Sequence, residues 1–165
     1  MSHLRTISIS LLVLFLAGTS LYSCSQQEDP NLGKTFNLAD YAGKWLIINY
    51  WAIWCGPCVK EIPDLNELQR EYKDQLTVLG VNYDKKVGED LLADIRAIGM
   101  EFDYIEKNPA DVLKLSRPEG LPVTYLFSPQ GKLEAKLVGP QTKAELLARI
   151  ERLTTELKRP NSDET

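Results

Sequence analysis

Two continuous apolar segments, separated by one with helical periodicity, most constrain how this chain folds. Residues 44–51, KWLIINYW, are apolar on both alternating sets of positions, which is typical of a strand buried on both faces of a sheet. Residues 75–84, QLTVLGVNYD, form a second segment of this kind. Between them, apolar residues recur every three or four positions within residues 59–73, as on one face of a helix, with Pro63 expected to kink it. This alternation predicts an α/β fold.

The rest of the chain extends the same pattern. An amphipathic segment with acidic residues in its first turn and Gly99 at its end predicts another helix. Thr142, with Glu145 three residues later, predicts a capped terminal helix. The predicted elements after the second strand are a helix at 88–99, a short strand within 100–107, a short helix within 108–116 capped by Asn108 with Pro109 first, a hairpin at 121–139 and a helix at 142–158. Helices are expected on both faces of the sheet.

The amino-terminal residues are predicted to be a secretory signal and not part of the fold. They carry Arg5, no acidic residue and an unbroken apolar stretch at residues 11–17, followed by small residues leading to Cys24. A membrane-spanning anchor is the alternative, but such a segment needs about 20 predominantly apolar residues. The predicted division is a signal peptide at 1–23, a polar tether at 24–34, one folded domain at 35–158 and a disordered tail at 159–165.

Residues 21–24, LYSC, resemble the bacterial lipobox, in which a Leu three residues before a Cys directs lipid attachment and cleavage. Tyr22 departs from that pattern, because a small residue is usual there. The resemblance implies that Cys24 becomes the acylated first residue of the mature chain, which anchors it to a membrane. The alternative is ordinary signal cleavage with Cys24 as a free thiol. Lipidation also accounts for the odd number of cysteines, three, because it leaves Cys55 and Cys58 as a pair.

That pair, in the sequence Cys-Gly-Pro-Cys, admits three interpretations. A zinc site needs four ligands of the Cys or His type, but the only histidine is His3 in the signal segment, so no metal is expected. A purely structural disulfide is disfavoured, because so short a loop constrains the unfolded chain little. A redox pair has a mechanism: the first thiol, at the amino end of a helix, ionises more readily. Cys55 would then be the exposed nucleophile and Cys58 the shielded resolving thiol.

The stretch NYWAIWCGPCVKEIP, residues 49–63, resembles the active site of the thioredoxin superfamily. With the lipobox, the tether and the extra segment before the hairpin, it resembles the membrane-tethered TlpA/ResA-like branch, over about residues 35–157. The resemblance implies a thioredoxin-like fold with a central mixed sheet of four to five strands and helices on both faces. It also implies that Trp54, Gly56 and Pro57 face the substrate.

Three further positions carry over from the resemblance. Pro122 matches the superfamily's cis-proline, which would turn the backbone of Leu121 towards a substrate strand; a plain proline at the start of a strand is the alternative. Asn49 stands where cytoplasmic thioredoxins keep a buried aspartate, which removes one candidate proton acceptor. Glu61 matches an acid of the branch's CxxCxxE pattern and would help deprotonate Cys58; a solvated glutamate on the helix face is the alternative.

The predicted function is that of an extracytoplasmic thiol–disulfide oxidoreductase, a reductase in preference to an oxidase. Its expected substrates are disulfide-containing exported proteins, with cytochrome c maturation one role that the resemblance implies. No nucleotide-binding glycine loop or flavin motif is present, so no cofactor is expected and a membrane thiol electron donor protein would supply the electrons. Ser25 is not an inner-membrane retention aspartate, which makes the outer membrane a plausible destination for the periplasmic, lipid-anchored protein.

Other functions remain open alternatives. The net charge of −4, with no basic stripe, argues against a nucleic-acid partner. A tethered binding module without catalysis is possible, although both cysteines are present. A thiol peroxidase commonly has a Pro-x-x-x-Thr-x-x-Cys stretch, which the residues before Cys55 lack.

Overall fold

A computed structural model describes residue 29 and residues 31–159 of the chain. The predicted signal peptide, the lipobox with Cys24, most of the polar tether and residues 160–165 of the predicted tail lie outside the described residues. A short 3-10 helix, Leu38–Tyr41, comes first. The further elements are β1 Trp45–Trp51, α1 Gly56–Tyr72, β2 Leu76–Asn82, α2 Gly88–Ile98, β3 Asp103–Ile105, α3 Ala110–Leu113, β4 Val123–Phe127, β5 Leu133–Val138 and α4 Lys143–Leu157.

The five strands form one mixed sheet in the order β3-β2-β1-β4-β5, which confirms the predicted fold class. Strands β1, β2 and β3 run parallel, and β4 lies antiparallel to both β1 and β5. All seven residues of β1 are buried, as its continuous apolar sequence predicts for the central strand. The site therefore grows from the best-protected strand of the sheet.

Helices cover the two faces of the sheet unequally. The core on one face joins Ile47 and Trp51 of β1 to the apolar sides of α1, α2 and α4. The core on the other face joins Leu46 and Ile48 to the 3-10 helix and to α3, which has only four residues. Right-handed crossovers from β1 to β2 and from β2 to β3 step the same way along the sheet, which places α1 and α2 on one face. Helices do lie on both faces, but the long ones share one.

Element ends follow local capping signals. Helix α2 ends at Gly99 in the left-handed region, at φ 67°, and α4 begins with the predicted capping box of Thr142 and Glu145. Helix α1 begins at Gly56, three residues before the predicted segment, and continues through Pro63. The capping residue of α3 is Pro109, although the Asn108 side chain, predicted as the cap, accepts the Ala110 N–H at 2.9 Å.

Of the helices in residues 31–159, none has the length and apolarity that spanning a membrane requires.

Candidate active site

Cys55 and Cys58 stand at the junction between the central strand and the first long helix. Cys55 is the capping residue of α1, in an extended conformation, and Pro57 lies in the first turn of the helix. The two cysteines form a disulfide, and the backbone N–H of Cys58 donates to Sγ of Cys55 at 3.2 Å. The unpaired N–H groups and the dipole at a helix start stabilise negative charge. The sulfur of Cys55 therefore lies where a thiolate is favoured.

The surface around the disulfide is formed by its neighbours more than by sulfur. Cys55 is only 5% exposed and Cys58 1% exposed, so in the disulfide form the predicted exposure of Cys55 is small. Trp54, in contrast, is 64% exposed, and Gly56 and Pro57 are exposed as well. A partner that approaches Cys55 would meet these three residues, as the resemblance implies.

An aromatic and charged group, which we call the Trp54 cluster, borders the disulfide and consists of Trp54, Tyr83, Asp84 and Arg117. The indole N–H of Trp54 donates to the carboxylate of Asp84 at 2.9 Å, and its ring meets Tyr83 edge to face with centroids 6.4 Å apart. The guanidinium of Arg117 lies 4.4 Å from the centre of the Tyr83 ring. The cluster therefore links the tryptophan before Cys55 to the loop before Pro122.

Leu121 and Pro122 lead into β4 at the same end of the sheet. The peptide bond between them is cis, as the resemblance implies. Val123, the first residue of β4, pairs with Tyr50 near the carboxyl end of β1. Pro122 is buried and its carbonyl accepts the N–H of Gly139 at 2.9 Å, whereas Leu121 is half-buried.

Glu61 lies in the interior, so the alternative of a solvated helix-face glutamate is wrong. Its side chain is 3% exposed, on the buried face of α1 that also carries Cys58, one turn earlier. One carboxylate oxygen accepts the Asn49 Nδ2–H at 2.7 Å, and the other accepts the backbone N–H of Gln141 at 2.7 Å. Asn49 also donates to the hydroxyl of Thr124 at 3.1 Å. Four segments of the chain thus meet at one carboxylate below the disulfide-bearing turn.

Burial raises the pKa of Glu61 to about 7, from an ordinary value of 4.5. Loss of hydration is the largest cause, because it penalises the charged form. The hydrogen bonds from Gln141 and Asn49 oppose it by stabilising the carboxylate, and the nearby charge of Asp64 adds to it. A carboxyl group with a pKa near neutrality can both accept and release a proton at physiological pH.

Sequence analysis did not single out Thr124, Gln141, Tyr83 or Arg117. Thr124 pairs directly with Asn49 across β1 and β4, but that register becomes visible only once the sheet is known. The burial of Glu61 had an available signal, because it lies within the apolar stripe of α1. The buried residues of that stripe are Cys58, Glu61, Ile62, Leu65 and Leu68.

Comparisons with known proteins were made for the whole chain. A model of the AhpC/TSA family matches residues 22–136. The chain is 30% identical over 141 residues to a thiol-disulfide oxidoreductase ResA of Bacillus cereus, with 78% of each protein covered. It is 32% identical over 126 residues to the thioredoxin-like protein YneN of Bacillus subtilis, covering 72% of this chain and 71% of that one. A solution structure of a thiol:disulfide interchange protein from Bacteroides sp. matches with a TM-score of 0.61 at 26% identity, covering 79% of this chain and 86% of that one.

Proposed function

The chain belongs to the AhpC/TSA family and is a thiol–disulfide oxidoreductase of the ResA type, and from this premise we propose that it reduces disulfides of exported proteins outside the cytoplasm. The predicted resemblance to the thioredoxin superfamily is thereby confirmed at the level of family and fold. The observation that carries the proposal is the Cys55–Cys58 disulfide at the start of α1.

The proposed cycle moves two electrons from this dithiol to the substrate. In the reduced protein, the thiolate of Cys55 attacks one sulfur of the substrate disulfide, forms a mixed disulfide and releases the other substrate sulfur as a thiolate. Cys58 then loses its proton and attacks Cys55, which restores the Cys55–Cys58 bond and releases the second substrate thiolate. Each released thiolate takes up a proton from solvent or from a nearby acid.

We assign to Glu61 the role of taking the proton of Cys58 in the second step. Both side chains lie on the buried face of α1, separated by one helical turn. Water has little access to either group, since Cys58 is 1% and Glu61 3% exposed. A base within the protein is therefore the expected proton acceptor.

The proposed docking surface surrounds Cys55. The exposed face of Trp54, with Gly56 and Pro57, supplies an apolar rim, and the backbone of Leu121 supplies groups that could pair with an extended substrate segment. Arg117, stacked on Tyr83, extends this rim on one side. Tryptophan, tyrosine and arginine are the residue types that most often dominate binding energy at protein interfaces.

The direction and location of the activity rest on the sequence. Gly-Pro between the cysteines matches thioredoxin, a reductant with a potential of about −270 mV, against about −120 mV for the oxidant DsbA. The signal layout at 1–23 and the lipobox at Cys24 support a lipid-anchored protein on the periplasmic side, with a tether at 24–34 and a domain at 35–158. A membrane thiol protein would return electrons to the disulfide, and apocytochromes c are one candidate class of substrate.

Turnover and trapping test this proposal. The reduced wild type should reduce a protein disulfide such as insulin, and Cys55→Ser should not. In cells, Cys58→Ala should hold substrates as mixed disulfides on Cys55, which mass spectrometry can identify and a reductant should release. The matched control is the double variant Cys55→Ser with Cys58→Ala, which should trap nothing.

Two outcomes would support the alternative functions instead. Undiminished biological function of Cys55→Ser would favour a non-catalytic binding module. Consumption of hydrogen peroxide that depends on Cys55, without reduction of protein disulfides, would favour a thiol peroxidase.

A further inference from the structure

A buried network under the active-site turn contains an amide that only one side of its surroundings holds in place. Asn49 and Thr124 face each other across β1 and β4, and both are fully buried. Nδ2 of Asn49 donates to Glu61 and to Thr124, at 2.7 and 3.1 Å. Oδ1 of Asn49 is buried and has no hydrogen-bond partner among the described residues. No partner of Oδ1 therefore fixes the amide in its present orientation.

The observed arrangement fits only the ionised form of Glu61. Each carboxylate oxygen faces an N–H donor, one from Asn49 and one from the backbone of Gln141. If Glu61 takes up a proton on the oxygen beside Asn49, its O–H and the Asn49 N–H become two donors that face each other. A buried donor left without an acceptor is costly, so the network must rearrange.

A half-turn of the Asn49 amide about its Cβ–Cγ bond solves this conflict. It exchanges Nδ2 for Oδ1, which can then accept from the O–H of Glu61. The hydroxyl of Thr124 accepts from Nδ2 in the present arrangement and can donate to Oδ1 after the half-turn, because a hydroxyl serves as either. A threonine at this position therefore suits both states of the network.

We propose that Asn49 and Thr124 are positioning residues that keep Glu61 hydrogen-bonded in both of its protonation states, through a half-turn of the Asn49 amide and reversal of the Thr124 hydroxyl. The inference rests on the proposed function, in which the Cys58 thiol gives its proton to the Glu61 carboxylate. That transfer leaves a Cys58 thiolate, which attacks Cys55, and a neutral Glu61 acid. The acid later releases the proton to the departing substrate thiolate or to water.

The charged groups around Glu61 leave this hydrogen bonding as the part that can be altered separately. On its own helix, Asp64 lies near, and its carboxylate accepts the backbone N–H of Lys143 at 2.9 Å. The ammonium group of Lys143 is bound to Glu67 and Glu71 at 3.0 and 2.8 Å. Strands β1 and β4 contribute the neutral Asn49 and Thr124, and the segment before α4 contributes the backbone of Gln141.

The test removes only the hydroxyl. Thr124→Val keeps the shape of the side chain, Thr124→Ala also lacks the hydroxyl in case valine is not accommodated, and Thr124→Ser retains it. Without the hydroxyl, the ionised state leaves an Asn49 N–H unpaired, whereas the neutral state leaves a carbonyl oxygen under-satisfied, which is the milder defect. The Glu61 pKa should therefore rise in Thr124→Val and Thr124→Ala and stay near the wild-type value in Thr124→Ser.

Two readouts follow this pKa in the full-length reduced protein. With 5,5′-dithiobis(2-nitrobenzoate), attack by Cys55 releases one thionitrobenzoate and resolution by Cys58 releases the second, so the second phase reports the proposed step. Its pH midpoint should move up by about one unit in Thr124→Val, which makes it about fivefold slower at pH 7. An infrared titration of the Glu61 carboxyl band, assigned by its loss in Glu61→Gln, should show the same shift.

A Thr124→Val protein with the wild-type pH midpoint and carboxyl titration would overturn the inference while leaving the proposed function intact. So would a slower second phase that Thr124→Ser fails to restore. A wild type that releases only one equivalent of thionitrobenzoate would overturn the proposed function, and this inference with it.

Discussion

Replacing Glu61 with glutamine should remove a pH dependence from the stability of the oxidised protein. In the wild type, the pKa of Glu61 is about 7 in the folded chain, against an ordinary value of 4.5 when it is unfolded. The folded state therefore holds the Glu61 proton more tightly than the unfolded state. The resulting stabilisation is complete below pH 4.5 and is lost as the pH rises through 7.

The size of this loss follows from the difference between the two pKa values. A difference of about 2.5 pH units corresponds to about 3 kcal/mol of unfolding free energy, most of it lost between pH 5 and 8. Glu61 is 3% exposed, so solvent screening reduces this value little. Glutamine has a similar shape and carries no charge, so Glu61→Gln should lose this slope and be more stable than the wild type at pH 8.

The measurement is urea unfolding of both proteins, with the Cys55–Cys58 disulfide intact, at several pH values between 5 and 8. Glu119→Gln is the matched control, because Glu119 is exposed in the loop before Leu121 and the same substitution there should leave the wild-type slope unchanged. A Glu61→Gln protein whose unfolding free energy falls with pH as steeply as that of the wild type would refute the assignment of this slope to Glu61.

Three further predictions concern packing, docking and capping. Gly80→Ala should destabilise the fold by about 1–3 kcal/mol in urea unfolding, because the added Cβ would lie 3.0 Å from both the Met100 sulfur and Nε1 of Trp51; wild-type stability would contradict this packing. Trp54→Ala should raise the KM for a protein disulfide about tenfold and leave the reaction with a small aromatic disulfide nearly unchanged, because its exposed ring contacts only the larger partner. Equal effects on both substrates would instead indicate damage to Cys55. Thr142→Ala should lower the unfolding free energy by about 1 kcal/mol through loss of the α4 cap, with Thr142→Ser restoring it.

Local sequence patterns were sufficient for most of the framework. The unbroken apolar run predicts the central strand β1, and Thr142 with Glu145 predicts the start of α4, since each pattern depends on residues a few positions apart. The Cys-Gly-Pro-Cys stretch likewise placed Cys55 and Cys58 at a strand-to-helix junction. The bounds of α1 were less well predicted, because a cysteine is not among the preferred capping residues.

The surroundings of the redox pair required the tertiary structure. The sequence by itself determined that two thiols stand at a helix start and that Glu61 follows Cys58 by one turn. It left open whether Glu61 faces water, because helical spacing fixes a side chain's direction on its own helix and not what covers it. The cover comes from Asn49 and from Gln141, 80 residues further along the chain, and only folding of the sheet and α4 brings them together. Burial by these distant segments turns an ordinary glutamate into a group that titrates near pH 7.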